Sequence, residues 1–370
     1  MKGTQLGRGH GFGVALMCVL VLVAGAGSLH AILFKSTGDP SYNTNAPSGS
    51  LTNSGWQYEG AWGAVLGTPI APTYFIAANH VGGSVGDPFT LNGFTYQTVA
   101  TFKDPNSDLR VWKVGATFPI YAPLYTNSNE VNQHCVAFGR GTQRGAAVIV
   151  GGKTNGWEWD SSLYDGVKRW GENDVYSAFN DPTYGPLLRC HFDRTGGSNE
   201  CMLSVFDSSG ALFIQDGPTW KLAGIHYLVD GDFSFTGSST DEFAAALLDM
   251  GGLYEGMDSS WTFITNQVSD IPSSFYSTRI SAELAWINSV IDFLPSDDLR
   301  ITGIQVIGND VSISFATTNR LYYVQRIDNL GSGTWSTFTN NVTGTGGIVS
   351  ILDTNAASLP QRFYRVGLVP

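Results

Sequence analysis

From Trp56 onward the apolar residues of this chain come in runs too short to make helices. AWGAVLG, TYFIAA, FTLNGFTYQTVATF and LRVWKVG are each broken or bounded within a few residues by glycine, proline, asparagine or aspartate. Strands fit such intervals and helices do not. Inside LNGFTY, Asn92-Gly93 carries the signature of a two-residue hairpin turn, whose central positions both take positive φ. Further strand-length runs follow at HCVAFG, AAVIVGG, LLRCHF, ALFIQ and WKLAGIHYL. Two β-barrels side by side would accommodate them, and so would one large sandwich.

Helical spacing occurs convincingly in one place, ISAELAWINSVIDFL from Ile280 to Leu294. There Ile280, Leu284, Ile287 and Ile291 share a face, with Ser281 as the expected cap. PSDDLR at 295–300 breaks this helix and reads as a linker. Alternation returns over 301–370 in ITGIQVIG, VSISFATT, LYYVQRI, TWSTFT, GIVSIL and QRFYRVGL, which predicts a separate small β-sandwich. Only 14% of residues are charged and 45 are glycine, a balance suited to strands and tight turns. A net charge of −11 argues against nucleic acid or an anionic membrane surface as the main partner.

The first 31 residues read as a secretory signal peptide. Lys2 and Arg8 precede an apolar run from Val14 to Ala24, and small residues then offer cleavage after Ala26 or Ala31. The run is too short to cross a bilayer comfortably, and an uncleaved anchor is the alternative. The expected product is secreted, periplasmic or held at the cell surface, without a membrane span. Residues 36–55 are rich in Ser, Thr, Asn, Pro and Gly, and 32–55 reads as a linker or irregular lead-in. Cys18 leaves with the signal, while Cys135, Cys190 and Cys201 remain. The short polar loop between Cys190 and Cys201 allows a bridge, and small buried thiols are the other reading. A zinc site with His134 and His191 matches no usual ligand spacing.

Three segments carry chemistry: FIAANHV with His80, SDLRVWKV with Asp108, and FDSSGALFI with Ser208. A serine hydroxyl is a poor nucleophile until an imidazole takes its proton and a carboxylate orients that imidazole. His80 follows an apolar run able to hold its ring, and Asp108 borders another. Ser208 lies in a turn, where backbone N–H groups can face developing negative charge. Asp104 in KDPNSD rivals Asp108, and Ser209 stands beside Ser208. A packed histidine, a turn-capping aspartate and a polar turn are the bland readings of the same residues.

These segments resemble the chymotrypsin-like serine proteases over about residues 56 to 294. CVAFGRGT resembles the family segment ending in G-W-G, WKLAGIHY its pocket-lining strand, and FYSTRISAELAWINSVI its closing strand and helix. The resemblance implies an all-β fold of two six-stranded antiparallel barrels with a C-terminal helix. It implies His80 as base, Asp108 as its orienting carboxylate and Ser208 as nucleophile. Backbone N–H groups of Phe206 and Ser208 would form the oxyanion hole, with Asp207 as a structural aspartate. Met202, His226 and Tyr227 would face the substrate, a protein or peptide, and no cofactor or metal is needed.

The departures from the family sharpen this reading. Phe206 stands where the family has glycine, and a phenylalanine there is expected to turn its N–H away, costing roughly 3 kcal/mol of transition-state stabilisation. A catalytically impaired, protease-like binding protein is therefore the alternative. Ser209 also replaces a glycine. No I-V-G-G-like segment marks the mature start, so Asp207 is expected to pair with Arg140 or Arg144 rather than with a new amino terminus. Met202 replaces the pocket-floor aspartate of trypsin-like enzymes, which removes a basis for Lys or Arg preference. His226 resembles the histidine of glutamate-specific relatives. An esterase is disfavoured because no G-x-S-x-G elbow is present. In the C-terminal module Tyr322, Tyr323, Trp335, Phe338, Phe363 and Tyr364 read as core, with surface or glycan attachment as the alternative role.

Overall fold

The computed structural model describes residues 32–291 and 301–368, apart from 259, 318–320, 332–333 and 346. Six short strands make the first barrel: β1 (Gly60–Trp62), β2 (Val65–Ala71), β3 (Tyr74–Ala78), β4 (Pro88–Leu91), β5 (Phe94–Lys103) and β6 (Leu109–Val114). Around the barrel their order is β1-β2-β3-β6-β5-β4, closed by β1 on β4. The second barrel uses β7 (His134–Gly139), β8 (Arg169–Asp181), β9 (Gly185–His191), β10 (Ala211–Asp216), β11 (Thr219–Val229) and β12 (Ser274–Arg279). Their order, β7-β8-β9-β12-β11-β10, repeats the path of the first. Closure of each sheet on itself removes the one-sandwich alternative.

Each barrel is filled by its own inward residues. Trp62, Phe75, Phe89 and Trp112 fill the first, where Phe75 and Phe89 stack at 4.2 Å. Leu188, Phe192, Leu212, Ile214 and Phe275 fill the second. Burying each such side chain is worth about 1.5–3 kcal/mol. Asn92 and Gly93 take φ of 51° and 82° in the hairpin that joins β4 to β5, as that dipeptide predicts. The β8 strand has no apolar signature in RWGENDVYSAFND, yet Gly171, Asn173 and Val175 lie on one buried side of it, facing the second barrel's core.

Two three-stranded sheets are added to the barrels. One joins Gln143–Val150, Lys153–Asp160 and Ala245–Leu247, and the other joins Asp232–Ser234, Tyr254–Met257 and Ser260–Phe263. They share a core of Val148, Phe233, Leu247 and Leu253. The lead-in differs from the sequence expectation at its start. Leu33–Phe34 pairs with Cys201–Met202, and Ile32, Leu33 and Phe34 are buried in the second barrel's core because they are the apolar residues of that stretch. Cys135, Cys190 and Cys201 are buried free thiols, so the Cys190–Cys201 bridge is not formed. The close sulfur pair is instead Cys135 and Cys190, 4.0 Å apart.

The helix α1 (Ile280–Val290) continues directly from β12, while residues 292–294 of the expected span lie outside the described residues. Ser281 is not its cap. The cap position falls on Arg279, and the Ser281 hydroxyl donates to Glu130, which also takes a two-pronged contact from Arg279 at 2.9 and 2.7 Å. The C-terminal unit has two three-stranded sheets. Ile301–Ile307, Asp310–Ala316 and Ile348–Asp353 form one, and Leu321–Ile327, Ser336–Thr343 and Phe363–Leu368 the other. Phe315, Tyr322 and Val324 are buried between them. Tyr364 donates to Asp353, while Phe338 and Trp335 are covered by Arg326 and Arg365. These contacts give the aromatics structural partners and leave glycan attachment without support. Among the described residues no helix is long and apolar enough to cross a membrane.

Candidate active site

β3 ends at Ala78, and the chain turns there to present His80 at the rim of the first barrel. Asp108 stands at the start of β6, the neighbour of β3, and grips this corner through several bonds. Its Oδ1 accepts the His80 backbone N–H at 2.9 Å, and its Oδ2 meets His80 Nδ1 at 2.5 Å. The Asp108 carbonyl accepts from Asn79 at 2.7 Å. A carboxylate can only accept, so the imidazole proton sits on Nδ1 and the Nε2 lone pair is free to act as a base. Asp104, the rival, is committed elsewhere: it accepts from Asn106 N–H at 2.9 Å and Ser107 Oγ at 2.6 Å and so shapes the loop that delivers Asp108.

Ser208 lies in the turn between Ser204 and β10. Ser209 separates itself from its neighbour by its bonds. It is wholly buried, and its Oγ accepts the Ala78 N–H at 3.0 Å. Ser208 is partly exposed, and among the described residues its hydroxyl has no hydrogen bond. Of these adjacent serines, only Ser208 has an uncommitted hydroxyl. The Ser209–Ala78 bond joins the two barrels and brings the Ser208 turn against the strand end that leads to His80.

Phe206 has a φ of 71°, the left-handed region that a glycine would use. Such a conformation costs a bulky residue about 1–3 kcal/mol unless the surroundings hold it. Here the ring packs against the first barrel's aromatic cluster and lies 4.6 Å from the ring of Tyr164. Among the described residues the N–H groups of Phe206 and Ser208 have no protein acceptor, whereas those of Asp207, Ser209 and Gly210 are in use. Two spare donors on either side of Asp207 are what an anionic oxygen requires.

Asp207 anchors the turn from below. Its carboxylate accepts from Gly141 N–H at 2.6 Å, from Ser204 N–H and Oγ at 2.8 and 3.0 Å, and from Ile32 N–H at 3.3 Å. Burial pushes its pKa up to about 6 against these bonds. Gly139 and Gly141 are required beside it, since a Cβ at either would fall 2.0 or 2.4 Å from a carboxylate oxygen. The arginine partners expected from sequence are absent. Arg140 donates to the Gly166 carbonyl at 2.7 Å, and Arg144 reaches the Phe34 and Lys35 carbonyls and lies over Trp157.

The residues expected to face substrate separate into two groups. Tyr227 lies with its ring 5.4 Å from that of His80, and Tyr184 packs edge-on against it at 5.8 Å. Met202 is instead fully buried in the second barrel's core, paired with Leu33. His226 is fully buried too, with Nδ1 2.9 Å from Ser277 Oγ, and burial lowers its pKa to about 3. A neutral imidazole offers no charge to a glutamate side chain. Sequence reasoning missed the Ser209–Ala78 and Ile32–Asp207 contacts, and also Tyr184 and Tyr164, which lie far from the motifs in sequence.

No family model matches the chain, and no curated protein does. Among solved structures it is similar to neuropsin, a serine protease expressed in mouse brain, at 14% identity over 65% of this chain and 96% of that one, with a TM-score of 0.39. It is similar to kallikrein-related peptidase 10 at 14% identity, over 67% of this chain and 99% of that one, with a TM-score of 0.35. It is also similar to Rv3671c of M. tuberculosis H37Rv at 12% identity, over 68% and 95%, with a TM-score of 0.36. The fold is fixed by the barrels themselves. Two closed six-stranded antiparallel barrels on one repeated strand path, joined where the His80 corner meets the Ser208 turn, give this unit the chymotrypsin-like architecture.

Proposed function

We propose that the chain is an exported serine endopeptidase acting through an acyl-enzyme. Ser208 Oγ attacks the scissile carbonyl while His80 Nε2 takes its proton, and the oxygen that becomes anionic is held by the N–H groups of Phe206 and Ser208. His80 then returns the proton to the departing amine, leaving an ester on Ser208. A water activated by the same nitrogen cleaves that ester and frees the serine. Asp108 keeps the proton on Nδ1 and stabilises the imidazolium.

The single observation that carries the reading is the Asp108 grip on His80, by both its backbone N–H and Nδ1, beside a turn with one uncommitted serine and two spare N–H groups. The binding-protein alternative rests on Phe206 spoiling the oxyanion hole, and a left-handed φ of 71°, the conformation a glycine would take there, weighs against that premise. Export remains the expectation drawn from the N-terminal segment, which lies outside the described residues.

A fluorophosphonate probe tests the reading directly. Intact protein is expected to become labelled, and Ser208→Ala is expected not to. Folded wild-type protein that stays unlabelled would overturn it.

A further inference from the structure

The turn that carries Ser208 is flanked by two non-glycine residues in the left-handed region, Phe206 at φ 71° and Ser209 at φ 70°. Neither conformation is favourable for a residue with a side chain, so each needs an anchor. Phe206 has its ring packing. Ser209 has a hydrogen bond: its Oγ accepts the Ala78 N–H at 3.0 Å in a buried setting, across 131 residues of chain. Its own N–H donates to the His226 carbonyl at 2.9 Å, and His226 N–H donates back to Gly210 at 2.8 Å. Ser209 is thus tied to the second barrel through its backbone and to the first barrel through its hydroxyl. Ala78 is the last residue of β3, two before His80.

We propose that Ser209 is a positioning residue that sets the reach between nucleophile and base. Ser208 and His80 belong to different barrels, so their separation depends on how those barrels are fastened near the turn. The Ser209–Ala78 bond is a fastening made by the residue next to Ser208 and the residue two before His80. A serine hydroxyl must sit within hydrogen-bond reach of Nε2 to be activated, and a displacement of about 1 Å can cost 10²-fold in rate. Glycine in place of Ser209 would accept the backbone conformation without strain yet provide no acceptor for Ala78 N–H.

The proposal rests on the serine-protease reading, and the experiment separates the two. Saturation labelling of the full chain by a fluorophosphonate gives a maximal inactivation rate and an apparent probe affinity for wild type, Ser209→Gly and Ser209→Ala. With Ser209→Gly the maximal rate is expected to fall about ten- to hundredfold. Probe affinity is expected to stay within about twofold, since the bond is not a binding contact. Amide exchange at Ala78 should quicken in the same variant. Ser209→Ala removes the same acceptor while keeping a side chain, and it carries the same expectation if the glycine variant folds poorly. An unchanged maximal rate in a folded variant overturns the positioning role, as does a loss explained wholly by a smaller folded fraction. Wild-type protein that never labels overturns the protease reading itself, and the positioning role with it.

Discussion

The backbone N–H of Ile32 donates to the Asp207 carboxylate at 3.3 Å, in a buried contact that spans 175 residues of chain. Among the described residues no cation accompanies that carboxylate, and burial holds its pKa up at about 6. Cleavage after Ala31, one of the cuts read from the signal segment, would replace this amide by an ammonium group. The pair would then be charge-assisted.

A chain beginning at Ile32 is therefore expected to be more stable at pH 7 than one beginning at Gly27, by about 2 kcal/mol. The sign follows from Asp207. In the amide-bonded form its raised pKa means stability is lost as pH rises through about 6, whereas an ammonium partner lowers that pKa and preserves stability there. Calorimetry of the two chains checks this, and acetylating the Ile32 amine should erase the gain. Equal melting temperatures at pH 7 would sink the idea.

Asp108→Asn should fold and yet lose about 10⁴-fold in kcat. The amide can offer its oxygen to the His80 backbone N–H, but it can also donate to Nδ1, which moves the ring proton to the nitrogen that must serve as base. Labelling rate by a fluorophosphonate, measured beside circular dichroism of the variant, is the check. Activity within tenfold of wild type would deny Asp108 its role.

Phe206 leads to an ordering rather than a single loss. Phe206→Gly relieves the left-handed strain, accepts the same backbone conformation, and gives up the ring's contact with Tyr164. Its rate is expected to remain within about tenfold of wild type. Phe206→Ala loses the ring but keeps the strain, so the peptide is free to relax out of the left-handed region, with a rate loss of about 10²–10³. A glycine variant slower than the alanine variant would contradict this account.

Legibility in sequence followed the range of the contacts. The Asn92-Gly93 hairpin and the runs that became β2, β3 and β6 were readable because strand period and turn chemistry are local. β8 was not, since the barrel accepts Asn173 and Gly171 on its inner side and needs few apolar residues there. His80, Asp108 and Ser208 each stand in a recognisable local segment, but what holds their turn does not. Arg140 was a reasonable partner for Asp207 by charge, yet the carboxylate is met by amides of Ile32, Gly141 and Ser204, whose convergence depends on barrel closure. Residue type also gives no warning of the left-handed backbone at Phe206, whose ring packs against the first barrel's aromatic cluster.

The loop that delivers Asp108 is expected to respond to pH. Asp104 shapes this loop, and the carboxyl of Glu283, in the first turn of α1, interacts with the Asp104 carboxyl. Burial and the neighbouring Asp104 carboxylate raise the Glu283 pKa to about 7. A carboxyl that holds its proton can donate to Asp104, whereas a second carboxylate repels it. Because the folded pKa lies above that of an unfolded glutamate, this contribution is full below about pH 4.3 and is lost as pH rises to about 7. Glu283→Gln keeps a donor at every pH, so its melting temperature should decline less than that of wild type over this interval. Other buried carboxyls titrate there too, including Asp207, and the difference between the two proteins isolates Glu283. Parallel melting curves from pH 4 to pH 8 would show that the proton on Glu283 does not support the Asp108 loop.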